Sequence, residues 1–127
     1  MNHFLLVAAG GAIGAALRHG VGYLSLRHLP SSWPWATFTV NILGSFAMGL
    51  LIGWLALKAQ GAGQETRLFL ATGLLGGFTT FSAFSLETMN MVRSGETMKA
   101  AAYVALSVIL GVTALGLGLW LTRKAFA

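Results

Sequence analysis

Apolar residues run along this chain in four long, nearly uninterrupted stretches, at about 4–28, 33–57, 68–92 and 99–122. As a helix, each is long enough to cross the roughly 30 Å of a bilayer's hydrocarbon. The polar connections between them, Arg27 to Ser32, Lys58 to Arg67 and Arg93 to Lys99, are too short to hold a soluble domain. The pattern predicts one all-α membrane domain over 1–127, with four transmembrane helices per chain. The first stretch lacks a basic start and continues past Arg18, so it does not read as a cleaved signal peptide.

The third stretch departs from the others. Leu68 to Leu86 contains no charged residue, yet Gly73, Gly76 and Gly77 weaken a helix at its centre. Thr79, Thr80, Ser82 and Ser85 follow at once and place hydroxyls beside any freed backbone. Irregular backbone at membrane depth is tolerated only where it is buried in protein or lines an aqueous cavity. Exposed carbonyls and hydroxyls there make ion ligands. A break in the third helix, and an ion-conducting or ion-binding protein, are the expectation.

Composition agrees: 56% of residues are hydrophobic and 9% charged. The absence of cysteine excludes disulfides, thiolate metal sites and thiol chemistry. His3, His19 and His28 have no metal-binding spacing. The net charge of +5 is scattered at span ends, which suits lipid headgroups and not nucleic acid. Four crossings put Lys58, Arg67, Arg123 and Lys124 on one side and Arg27, Arg93 and Lys99 on the other. Four cations against three is a weak orientation signal. It fits either a fixed topology with poor contrast or insertion of copies both ways as an antiparallel pair.

Several side chains carry candidate chemistry. Arg18 lies about four turns into the first span and is either an anchor that snorkels or the wall of a positive vestibule. Asn41, between Thr37, Thr39 and Ser45, either bonds across a helix interface or faces a polar path. Phe81 and Phe84 share a helical face directly after the break. Such a pair faces lipid or core, or offers its positive ring edges to an anion. Tyr103 and Ser107 are one turn apart on the fourth helix. Glu87 is the only acid within a span and lies near an end, so there is no acidic ring for cations and no midplane carboxylate for proton coupling. No nucleophile–base set, paired carboxylates or phosphate loop suggests an enzyme. Donors and ring edges favour an anion, whereas the carbonyls of the break suit a cation. A structural cation inside an anion pathway reconciles the two.

Three motifs carry a resemblance over the whole chain. Gly10-Gly11-x-x-Gly14-Ala15-x-x-Arg18 lies in the first helix, and Thr37-x-x-x-Asn41-x-x-Gly44-Ser45-Phe46-x-x-Gly49 in the second. The third is the long run Gly76-Gly77-Phe78-Thr79-Thr80-Phe81-Ser82-Ala83-Phe84-Ser85. Together they resemble the small bacterial fluoride channels, the Fluc or CrcB family. Ala83 stands where many members have Thr, and Ala36 where many have Gly.

The resemblance implies a dual-topology antiparallel homodimer in the bacterial inner membrane, with two fluoride pores. Phe81 and Phe84 would line each pore, with Asn41, Thr80 and Ser82 beside them and Tyr103 and Ser107 forming a polar track. A central sodium ion, structural and not transported, would be held by the backbone carbonyls of Gly76 and Thr79 from both copies. The implied function is passive fluoride export, which lowers fluoride toxicity. The alternative is a small four-helix proton-coupled multidrug or guanidinium exporter. That class needs an acid in the first helix, where this chain has Arg18.

Overall fold

The computed structural model of the protein describes residues 2–58 and 63–126; positions 59–62 of the second connection lie outside the described residues. All regular structure among them is helical. Helix α1 spans His3–His28 and starts where the Asn2 side chain accepts the Phe4 N–H at 2.8 Å. It stops at Leu29, which precedes Pro30 and takes the extended conformation that a following proline favours. Helix α2 is Trp35–Lys58 and α6 is Thr97–Phe126.

The third span, Gly63–Arg93, is built from unlike pieces. A short turn, α3 (Gly63–Thr66), leads into a π-helical stretch, Arg67–Leu75, and then a single α-helical turn, α4 (Gly76–Phe78). Thr79 (φ −86°, ψ 159°) and Thr80 (φ −152°, ψ 117°) are extended, and α5 resumes over Phe81–Arg93. Helical structure thus begins five residues before Leu68, in what the apolar pattern marks as a connection. Gly95, at φ +81°, turns the chain into α6 in a conformation that a side chain disfavours. Among the described residues, four helices are long and apolar enough to cross a membrane: His3–His28, Trp35–Leu57, Gly63–Arg93 and Thr97–Phe126.

Two seams of backbone-to-backbone contact hold these helices. A Cβ at Gly10 would strike the Phe69 carbonyl, and one at Gly14 the Leu74 carbonyl, so α1 lies directly on the third span. In the other seam, a Cβ at Gly49 would strike the Leu115 carbonyl and one at Gly118 the Phe46 carbonyl, which binds α2 to α6. Most large apolar side chains point outward, as expected where the surroundings are lipid or another copy. The buried cluster is small: Met91, Ala100 and the fully buried Tyr103, with Trp33, Phe38 and Phe84 packed on it. It sits at the end of the bundle where α5 turns into α6.

Candidate functional site

The site is organised by how the break satisfies its backbone. Asn41 on α2 reaches across to Thr80, its Nδ2 donating to the Thr80 carbonyl at 3.0 Å and its Oδ1 accepting the Thr80 N–H at 2.8 Å. Thr80 in turn caps α5, its Oγ1 accepting the Ala83 N–H at 3.1 Å. In an unbroken helix the Thr80 N–H would return to the Gly76 carbonyl, and the Ala83 N–H to the Thr79 carbonyl. Both donors are taken by side chains instead. The two carbonyls expected to hold a cation have lost their helical donors, and their neutral oxygens suit an alkali ion.

Arg18 reaches the third span and an open cavity. Its Nε donates to the Gly77 carbonyl at 3.1 Å, tying α1 to the turn before the break. It also lines a cavity of about 340 Å³ together with His19, Tyr23, Thr37, Thr80 and Ala83. A second cavity, about 290 Å³, is walled by Asn41, Gly44, Ser45, Thr79, Thr80 and Phe81. Thr80 is common to both, so the break separates two open, partly polar spaces.

The aromatic residues divide. Phe81 is 78% exposed on the single chain, whereas Phe84 is half-buried with its ring centroid 5.7 Å from that of Phe81. Phe84 lies 5.1 Å from the Tyr103 ring, and Tyr103 meets Trp33 edge-on at 5.4 Å. The aromatic chain therefore runs from an open face at Phe81 inward to Tyr103. Ser82 is exposed, with its Oγ 3.3 Å from Thr80 Oγ1. Ser107 lines neither cavity, and its buried Oγ has no hydrogen-bond partner.

Glu87 has a larger part than sequence reasoning gave it. The Thr37 hydroxyl donates to Oε1 at 2.6 Å and the Tyr103 hydroxyl to Oε2 at 2.8 Å, so one carboxylate joins α2, α5 and α6. The signal was present in the chain: the lone acid of the spans falls three residues after Phe84, on the same face. Nothing in one dimension pairs it with Thr37 and Tyr103, 50 and 16 positions away. Among the described residues no group of three His, Cys, Asp or Glu could hold a metal.

A family model described as CrcB-like protein, Camphor Resistance (CrcB), matches residues 5–119. The chain belongs to the CrcB family. Curated relatives align with it end to end. A protein of Hyphomonas neptunium named fluoride-specific ion channel FluC is 71% identical over 127 residues, covering all of both chains. Proteins of the same name from Phenylobacterium zucineum, at 54%, and Caulobacter vibrioides, at 48%, also cover the whole of both chains. With four membrane-length helices among its described residues, the chain is a multi-pass membrane protein.

Proposed function

We propose that this protein is a fluoride-selective passive channel of the bacterial inner membrane, working as an antiparallel pair of chains with two pores. The full-length identity of 71% to a fluoride-specific channel carries the reading. The site supports it: donors and aromatic edges gather at the break, and Phe81 is left open on the single chain for a second copy to cover. The fluoride path would be lined by Phe81 and Phe84 with Asn41, Thr80 and Ser82, and continue along Tyr103 and Ser107. The buried, unpartnered Ser107 hydroxyl is a donor of the kind such a track needs.

In the same reading the carbonyls of Gly76 and Thr79 from both copies hold a structural sodium ion, which supplies fixed positive charge between the pores. This chain's contribution is the freeing of those oxygens, through Asn41 and the Thr80 cap. Passive conduction suffices for the task. Hydrogen fluoride crosses lipid as a neutral acid and dissociates inside, and the membrane potential drives the anion out with about 2.3 kcal/mol per charge per 100 mV.

The test is fluoride efflux from liposomes containing the purified full-length protein, read with a fluoride electrode. Rapid efflux of fluoride and none of chloride is expected. Retention of fluoride, or equal loss of both anions, overturns the proposal.

A further inference from the structure

At the end of the bundle a separate cavity of about 230 Å³ lies between the connection after α1 and the turn from α5 into α6. Its wall includes Ser31, Asn90, Ser94, Glu87, Glu96 and Lys99. Glu87 connects it to the break. The carboxylate that faces this cavity also takes the Thr37 hydroxyl, and Thr37 lines the cavity shared by Arg18 and Thr80. From Thr80 through Thr37 and Glu87 to Lys99, each step is a shared wall or a hydrogen bond.

We infer that this cavity is a mouth of the ion path, and that Glu96, by pairing with Lys99, sets how strongly the mouth draws in anions. The inference rests on the channel reading. Lys99 Nζ lies 3.2 Å from Glu96 Oε2, and the two side chains remain 28% and 50% exposed. The pair is therefore in contact with solvent and open to screening by salt. Lys99 is the cation of the described wall, while Glu87 and Glu96 are its acids. With both carboxylates ionised the wall carries one net negative charge, which works against an arriving anion. Glu87 is engaged with two hydroxyls, so Glu96 is the charge that can change without disturbing the site. Its main chain is held independently, the N–H on the Met91 carbonyl at 2.8 Å and the carbonyl on the Ala100 N–H at 3.0 Å. Both bonds survive a change of side chain.

One unit charge about 8 Å from a passing anion in a watery mouth changes the local anion concentration roughly two- to threefold. The effect depends on salt, because the screening length falls from about 30 Å at 0.01 M to about 3 Å at 1 M. The experiment compares wild type, Glu96→Gln, Lys99→Gln and Lys99→Arg, each as full-length protein in liposomes of neutral lipid. Initial fluoride efflux is measured at fixed fluoride and sodium, with impermeant salt giving low or high ionic strength. At low ionic strength Glu96→Gln should conduct about twofold faster than wild type and Lys99→Gln about twofold slower, with Lys99→Arg restoring the wild-type rate. At high ionic strength all four rates should converge. If wild type conducts but either Gln variant matches it at low ionic strength, the mouth is elsewhere. A change of rate that persists at high ionic strength means a structural effect and likewise overturns the inference. A wild type that does not conduct fluoride removes the channel reading itself, which is a separate result.

Discussion

Asn41 holds Thr80 by both of its main-chain polar groups, across 39 positions of sequence. A side-chain amide offers one donor and one acceptor side by side, the same pair that a neighbouring peptide would present. The second helix thus supplies the partners that the third gives up when it breaks. At Thr80 the break therefore leaves neither main-chain donor nor acceptor unpaired, while the Gly76 and Thr79 carbonyls stay without their helical donors.

Asn41→Leu should remove both bonds and leave the Thr80 N–H and carbonyl unpartnered in a part-buried site. Each such group costs about 1–3 kcal/mol. Thermal unfolding in detergent should shift down and fluoride flux should fall at least about tenfold. Unchanged flux would mean that the break does not depend on this clamp.

Phe81→Ile and Phe84→Ile keep apolar bulk and remove the ring quadrupole. Both should lose fluoride flux in the liposome assay. Stability of the separated single chain should distinguish them, because Phe81 is 78% exposed there while Phe84 packs on Tyr103 of the same chain at 5.1 Å. Only Phe84→Ile should lower the unfolding midpoint, by a loss of about 1 kcal/mol. Wild-type flux in both variants would remove the aromatic residues from the path.

Thr79→Val keeps the main-chain carbonyl and removes the hydroxyl that donates to the Leu75 carbonyl at 2.9 Å. If the carbonyl is the sodium ligand, the variant should still require sodium. Gly76 lies in ordinary helical conformation (φ −62°, ψ −38°), where a Cβ would meet only the Ala71 carbonyl at 3.6 Å, so Gly76→Ala should likewise keep its carbonyl and its requirement for sodium. The reversal potential in a fluoride gradient should follow fluoride at every sodium concentration. A potential that tracks sodium would make the break a cation filter.

The four-to-three division of loop cations leaves orientation weakly determined. Two lysines inserted in the 58–67 connection should bias a copy to one orientation. That copy alone should confer little fluoride resistance on cells, and co-expression with an oppositely biased copy should restore it. Full resistance from the biased copy alone would rule out a need for both orientations.

Much of this was legible in the sequence, because a membrane imposes simple rules. Length and apolarity mark the four spans, and glycines before a run of hydroxyl residues mark an interruption at Thr79 and Thr80. The amide of Asn41 stood out because it must be satisfied. What it binds was not legible, since Thr80 becomes its partner only when two helices meet. Arg18 was left between two roles for the same reason, and Glu87 was passed over because its hydroxyl partners lie on other helices. The π-helical stretch left no mark at all: Arg67–Leu75 has the composition of ordinary helix.

That stretch determines the direction in which the aromatic pair looks. A π-turn closes its hydrogen bond over five residues instead of four, so the chain winds more slowly through Arg67–Leu75 than through the helix on either side. Every residue beyond it is rotated from where an unbroken α-helix would put it. The angular phase of Phe81 and Phe84 about the third span is therefore counted out upstream, in a segment that contains neither ring. Tightening the same residues to α-helix without removing any would turn both rings to another side of the bundle, with no pore residue altered, whereas removing one residue as the coil tightens would largely restore their present phase. Loss of function on tightening alone would be a fault of register.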